Sequence, residues 1–433
     1  MNSTSLPIYS RRQFLKAGAA ASLLPLLGSV TPVFAAGSDR IRIGLVGCGG
    51  RGIGAVRNCL AADPSVQLVA LGDAFVDRIE AALHDFTQGT AGDTPRPPLP
   101  ADQFSVTRER CFTGFDAYKQ VINSGIDLVL LVTPPHFRPL HLQAAFEAGV
   151  HVFAEKPVAV DPVGARLVMQ LADIAAQKKL AFVAGTQRRH SADYLETMAR
   201  IKDGAIGDLT GGQCYWLQGG LWHRGRQPEW SEMEYQMRNW LYFTWLSGDH
   251  IVEQHMHNID IMNWAFGGPP VKAFGMGGRQ SRTDLKYGNA WDHFSIEYEY
   301  ANGARVQSMC RQAPGASTRV SERLTGTKGA ADPSGTIRGE QPWKFERQFT
   351  NPYDQEHIDL IRSIRAGTPL NEGRQLAEST LTAILGRISA YTGREINYSW
   401  MLEASKLDLT PAAYAWGDAP PVEIAVPGKT PLV

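Results

Sequence analysis

Three groups of residues in this 433-residue chain are suited by type and spacing to chemistry. The first is Gly47-Cys48-Gly49-Gly50-Arg51-Gly52, a G-x-G-x-x-G run. Glycines so spaced let a backbone turn tightly, approach a diphosphate and pack the following helix against its strand. The helix start then offers free N–H groups and a positive dipole end to the anion. Asp73, 21 residues beyond Gly52, stands where an acid would bind adenosine ribose hydroxyls. The second group is Glu155-Lys156-Pro157, whose ammonium could donate to an oxygen on which negative charge develops. The third is Glu253-Gln254-His255-Met256-His257. The His257 imidazole exchanges protons around neutrality, and Glu253, four residues earlier, would share its helix face. Plainer readings exist for both. Glu155-Lys156 before a proline also describes a surface turn, and a Glu/His pair at this spacing a solvated helix face.

The elements around these residues are alternating strands and helices. Arg40–Val46 reads as a buried strand running into the glycine turn, followed by a helix over Ile53–Leu60. A second strand, Val66–Leu71, ends at Gly72-Asp73. Leu128–Val132 and Val150–Ala154 continue a parallel sheet, with the helix Pro139–Ala148 between them as a right-handed βαβ unit. The fold class expected is α/β: a Rossmann dinucleotide-binding domain over 37–160, then an α+β substrate domain over 161–397. NAD is the expected cofactor, because Asp73 repels a 2′-phosphate. NADP stays possible, because Arg51 and Arg78 lie near enough in sequence to accept one.

The second domain reads as a large, mostly antiparallel sheet. After a helix at Tyr194–Lys202 come strand-like runs at Gln213–Gln218, Val271–Met276, His293–Tyr300 and Arg305–Arg311, the last two joined by the hairpin signal Asn302-Gly303. Five of the ten tryptophans fall between residues 216 and 245, interleaved with Arg224, Arg226 and Arg238. Flat aromatic faces suit a pyranose, which makes Trp222 and His223 rim candidates, although buried core or a subunit contact fits most of these rings equally. Helices over 352–392 would close back on the nucleotide domain. The proline-punctuated tail 398–433 reads as an arm or subunit contact, in keeping with a homo-oligomer.

Residues 1–36 do not belong to this fold. Ser10-Arg11-Arg12-Gln13-Phe14-Leu15-Lys16, a mildly apolar run and small residues near Ala35 and Ala36 read as a twin-arginine export signal. The apolar run is short for a span and interrupted by Gly18 and Pro25, so stable membrane anchoring is not expected. The twin-arginine export machinery would be a partner, and the periplasm the destination. Lys+Arg and Asp+Glu are both 43, and no basic excess marks a nucleic-acid binder. The five cysteines are scattered without a C-x-x-C pair, which argues against a disulfide scaffold and a structural zinc site.

Several of these motifs together resemble the Gfo/Idh/MocA family, that of glucose–fructose oxidoreductase and inositol dehydrogenase. They are the glycine loop, Thr133-Pro134 at a strand end, Ala154-Glu155-Lys156-Pro157, Val183-Ala184-Gly185-Thr186-Gln187-Arg188-Arg189, and Glu253 to Asp260. The similarity runs from about residue 40 to about 395. The resemblance implies a catalytic set of Lys156, His257 and Glu253. It implies cofactor contacts from Gly47, Cys48, Gly49, Gly50, Arg51, Gly52, Asp73, Thr133, Pro134, His136, Glu155 and Lys156. Arg189, Trp222, His223 and His255 are the substrate-binding candidates. The chain departs from the family pattern in having Pro135 after Thr-Pro and Arg138 three residues later, in place of Asn and His. Glu253 stands where Asp is usual, which moves the carboxylate by one bond. Asp249, His250, His255, His257 and Asp260 are metal-ligand types, yet H-E-x-x-H and H-x-x-E-H are missing and the family chemistry needs no metal, so no metal is expected.

The implied activity is hydride transfer between a small carbohydrate substrate (a sugar, polyol or sugar derivative) and a tightly held nicotinamide cofactor. Lys156 would polarise the reacting oxygen and His257 would take its proton. An exported enzyme meets no free nicotinamide pool, so it would keep and recycle its cofactor. Two other readings stand beside this one. The first is a glycoside hydrolase using NAD transiently for oxidation, elimination and re-reduction. The second is a non-catalytic sugar-binding protein.

Overall fold

The computed structural model describes residues 39–92 and 94–433, so the expected export signal lies outside the described residues. The nucleotide half is a six-stranded parallel sheet: β1 (Ile41–Val46), β2 (Val66–Asp73), β3 (Cys111–Thr113), β4 (Leu128–Leu131), β5 (His151–Ala154) and β6 (Phe182–Ala184). Helices alternate with them: α1 (Gly50–Ala62), α2 (Val76–Gln88), α3 (Ala117–Ile122), α4 (Arg138–Glu147) and α5 (Pro162–Gln177). The spatial order is β3-β2-β1-β4-β5-β6. Ile41, Ile43, Leu45 and Leu128 to Leu131 are all fully buried, because helices cover both sheet faces. The order reverses between β1 and β4, and the crevice at the carboxyl ends of these strands is where an open α/β sheet takes a ligand.

The boundary expected at residue 160 falls one helix and one strand too early. Asp161 caps α5 by accepting from the Gly164 N–H at 2.7 Å, Pro162 occupies its first turn, and β6 then pairs with β5 inside the parallel sheet. Phe182–Ala184 is only three residues long, too short for its periodicity to announce a strand.

The substrate half begins with α6 (Ala192–Lys202) and builds a nine-stranded sheet from β7 (Leu209–Gln218), β8 (Lys272–Gly278), β9 (His293–Glu299), β10 (Arg305–Gln312), β11 (Arg319–Gly326), β12 (Gly329–Asp332), β13 (Thr336–Gly339), β14 (Trp343–Lys344) and β15 (Ile396–Asn397). All pairs are antiparallel except β7 with β10. In β9 the inward set Phe294, Ile296 and Tyr298 alternates with half-buried residues, the pattern of a one-sided sheet. The β9–β10 hairpin closes with Tyr300 N–H donating to the Ala304 carbonyl at 2.9 Å. This leaves three residues in the loop rather than two, with Gly303 at φ +81°.

Between β7 and β8 lie α7 (Glu232–Arg238), α8 (Thr244–Ser247), α9 (His250–Glu253) and α10 (Met256–Phe266). After the sheet come α11 (Pro352–Arg365) and α12 (Gly373–Thr392). α12 is buried on nearly every side, since it lies between α5 and the sheet, while α11 folds back against α1. The tail runs along its own chain. Leu409 N–H donates to Asp161 Oδ2 at 2.9 Å, Met233 N–H donates to the Gly417 carbonyl at 2.9 Å, and Trp416 packs on Phe75 and Phe115. Among the described residues no helix is long and apolar enough to cross a membrane.

Candidate active site

A cavity of about 610 Å³ opens at the carboxyl end of the parallel sheet and reaches the substrate half. Its nucleotide wall is the glycine turn. Gly47 sits at φ +101°, where a Cβ would lie 2.6 Å from the Val132 carbonyl carbon. At Gly52 a Cβ would lie 2.0 Å from the Gly47 oxygen, so any side chain forces the turn open. A Cβ at Gly49 or Gly50 would meet nothing within 4 Å, which leaves that backbone bare toward the cavity. Asp73 ends β2 beside the turn. Its Oδ2 accepts from Cys48 N–H at 2.7 Å and its Oδ1 from Phe75 N–H at 3.0 Å. Burial raises its pKa and these two N–H groups oppose the rise. The bare turn, the helix start and the acid in one cavity fit a dinucleotide.

Arg51 does not stay free for a 2′-phosphate. Its Nε lies 2.5 Å from Glu155 Oε1 and its Nη2 3.1 Å from Glu356 Oε1, which draws the guanidinium to α11. Arg78 does line the cavity beside Asp73.

The same cavity is lined by Lys156, Glu253 and His257. Lys156 follows β5 directly, and its Nζ donates to the Glu253 carbonyl at 2.5 Å. Glu253 and His257 do not share one helix. Glu253 ends the four-residue α9, the chain breaks at Gln254, and His257 lies in the first turn of α10. Asp249 caps the opposite, N-terminal end of α9. It takes φ +69°, ψ 163°, a region that strains any residue but glycine. Its buried carboxylate is held by Trp291 N–H at 2.8 Å and the Tyr391 hydroxyl at 2.6 Å. Those bonds commit Asp249 to the scaffold. Burial drives all three cavity groups toward their uncharged forms. It lowers Lys156, raises Glu253 and lowers His257, whose pKa the Lys156 charge depresses further. The His257 ring stacks on Trp216 with centroids 5.7 Å apart. The site thus presents a neutral imidazole acceptor, a buried amine donor and a carboxyl within one cavity.

Thr133, Pro134 and Glu155 also line this cavity, as does Trp222, which is 45% exposed. Five expected residues point elsewhere. Cys48 is buried behind the turn, its Sγ donating to the Gly72 carbonyl at 3.5 Å. His136 turns away to the tail, its Nε2 2.8 Å from the Tyr414 hydroxyl, and packs edge-on against Trp245. His255 is fully buried, its Nε2 2.7 Å from Ser308 Oγ on β10, so the odd residue of the pair faces the sheet. Arg189 is bound bidentate by Asp260 at 2.8 and 2.9 Å and stacks on Trp264. His223 lies against Tyr235, 3.1 Å from its hydroxyl, outside the cavity lining. Gln254 and Arg138 are among the lining residues to which the sequence assigned no role. Arg138 carried a signal, as a departure from the family pattern.

Comparison with known proteins agrees with this architecture. The model of an oxidoreductase family with an NAD-binding Rossmann fold matches residues 41–185. That of the GFO/IDH/MocA C-terminal domain matches 194–332, and that of a twin-arginine translocation signal matches 9–28. "Inositol 2-dehydrogenase 4" of Saccharopolyspora erythraea is 30% identical over 167 residues, 39% of this chain and 42% of that protein. The match thus spans less than half of that relative. "Inositol 2-dehydrogenase 3" of the same organism is 24% identical over 341 residues, 76% of this chain and 86% of that protein. Scyllo-inositol dehydrogenase of Lactobacillus casei, solved with bound NAD(H) and scyllo-inositol, shares the fold at a TM-score of 0.61 and 18% identity, covering 83% of this chain and 99% of its own. The chain belongs to the Gfo/Idh/MocA oxidoreductase family, with an NAD-binding Rossmann domain and the family's C-terminal domain behind a twin-arginine signal.

Proposed function

We propose that the protein is a periplasmic NAD-dependent oxidoreductase that moves hydride between a CH–OH carbon of a sugar or polyol and a nicotinamide cofactor it retains through export. The observation that carries this reading is that Lys156, Glu253 and His257 line the same cavity as the glycine turn. The nicotinamide, when bound, supplies the hydride acceptor. The residues of the chain do the rest. The turn at Gly47–Gly52 and Asp73 grip the dinucleotide. His257, held neutral by burial, takes the hydroxyl proton, and its stacking on Trp216 fixes the ring. Lys156 donates to the same oxygen and stabilises alkoxide charge. Glu253, whose carbonyl already holds the Lys156 Nζ, sets where that amine points.

The test is to purify the mature protein, identify the cofactor released on denaturation by mass spectrometry, and incubate it with pairs of sugars. Retained NAD and matched oxidised and reduced products are expected. Turnover of an aryl glycoside without net oxidation would instead establish redox-assisted hydrolysis, and fully apo protein with weak NAD binding would exclude internal recycling.

A further inference from the structure

Arg138 opens α4 at the end of the β4 loop and is 3% exposed, yet it borders the cavity together with Thr133, Pro134 and Lys156. Among the described residues its Nε and Nη1 have no hydrogen-bond partner, and no carboxylate lies within ion-pair distance. The acid whose charge reaches it, Glu155, is already bound to Arg51 at 2.5 Å. Burial lowers the Arg138 pKa only to about 10, so the guanidinium keeps its charge at neutrality. A buried, charged, unpaired guanidinium is unfavourable in a folded protein unless an anion completes it. The dinucleotide's diphosphate has its own cradle at the glycine turn, so it does not answer this charge. A planar fork of N–H donors matches a carboxylate in bidentate fashion.

On the oxidoreductase reading above, we propose that the substrate is a carboxylated sugar, a uronic or aldonic acid, whose carboxylate pairs with Arg138 while its carbinol lies against Lys156 and His257. The pairing would also act on the neighbouring amine. After burial itself and against the pull of nearby acids, the Arg138 charge is one of those that depress Lys156. A carboxylate on Arg138 cancels that repulsion and favours the protonated, donating form of Lys156 when this substrate is present.

The test compares matched ligands on protein loaded with NADH, by calorimetry: glucose against glucuronate, galactose against galacturonate, and glucose 6-phosphate as the alternative anion. Wild type is expected to bind the uronates at least about 30-fold more tightly than the matched hexoses, the scale of a desolvated charge-assisted pair. Arg138→Met should bring that ratio close to one, and Arg138→Lys should leave an intermediate ratio, since ammonium keeps charge but loses the fork. Equal binding of hexose and uronate by wild type, an unchanged ratio in either variant, or preference for the phosphate overturns the proposal. So does a loss of NADH affinity in Arg138→Met equal to its loss of uronate affinity, which would assign the guanidinium to the cofactor. If Arg138→Met does not fold, Arg138→Lys decides alone. Hydride transfer is read separately, from nicotinamide absorbance, on protein loaded with NAD in its oxidised form. Uronate binding without transfer defeats the oxidoreductase reading and leaves Arg138 assigned, whereas transfer from neutral hexoses alone defeats only the Arg138 assignment.

Discussion

On the proposed function, the two ends of the cavity would hold their ligands by different means. The nucleotide end uses backbone: a glycine turn, the start of α1 and one carboxylate, all from residues 47–73. The reacting end uses side chains from the end of β5, α9 and α10, about a hundred residues apart in sequence and joined by hydrogen bonds from Lys156 to the Glu253 carbonyl and to Gln254 Oε1. A backbone cradle depends on local shape and leaves few routes for substitution. A side-chain centre depends on tertiary placement and tolerates change until a reacting group is touched. Substitutions at the two ends should therefore fail differently, one set in binding and the other in turnover.

The largest effect is expected at the reacting end. Lys156→Ala and His257→Ala should each lower turnover at least about 100-fold with NAD affinity within a few-fold of wild type. Stopped-flow absorbance and NADH fluorescence titration read the two quantities separately. Added hydroxide partly replaces a missing base, so the His257→Ala deficit should shrink at high pH. Glu253→Gln should do less damage, because the backbone carbonyl that receives Lys156 survives the substitution. Equal losses of NAD affinity and turnover in these variants would erase the distinction between the two ends.

Gly52→Ala should show the converse failure. Its Cβ would sit 2.0 Å from the Gly47 oxygen, so the turn must open and NAD affinity should fall by about 100-fold. Turnover at saturating NAD should recover much more than in Lys156→Ala. A smaller change is expected from Asp73→Ala. It removes the acid that repels a 2′-phosphate and leaves Arg78 lining the cavity, so the NADP-to-NAD affinity ratio should rise by about tenfold. Unchanged affinities for both dinucleotides would remove Asp73 from the ribose site.

The same contrast explains what the sequence disclosed. The strand, turn, helix and acid of the nucleotide end lie within one continuous segment, so spacing alone places them. At the reacting end, spacing suggested one helix carrying Glu253 and His257, and a hydrophobic period cannot reveal that the chain leaves helical geometry between them, at Gln254 with φ −122° and ψ −52°. Nor can it tell which of His255 and His257 faces the cavity, since that depends on β10 supplying Ser308 to the other. Arg189 stood among the substrate-binding candidates because Asp260, its partner, is remote in sequence. Arg138 was visible only as a residue out of pattern. The tail's path was not legible either, because its contacts are isolated aromatic rings such as Tyr414 and Trp416 without a repeating period.

The last prediction concerns the seam where α11 and α12 fold back on the nucleotide half. His190, in the turn after β6, has its Nδ1 2.8 Å from Asp359 Oδ2 on α11. Its Nε2 lies 3.2 Å from Glu372 Oε1 at the start of α12, poorly aligned for a hydrogen bond but close enough for Coulomb attraction. Burial alone would lower its pKa, and the two carboxylates outweigh burial and raise it to about 10. The folded value thus lies above the unfolded value near 6.5, so folding binds a proton in this range. The stabilisation is complete below about pH 6.5, declines as pH rises toward 10, and is gone above it. His190→Gln should therefore unfold more easily than wild type by about 1–2 kcal/mol at pH 6.5 and by nearly nothing above pH 10. Urea melts at pH 6.5, 8 and 10.5 measure the gap. A gap that stays constant across that range would mean His190 is neutral in the fold, and that packing rather than charge joins these helices to the nucleotide half. None of His190, Asp359 and Glu372 lines the cavity, so turnover per folded molecule should change least of all the variants considered.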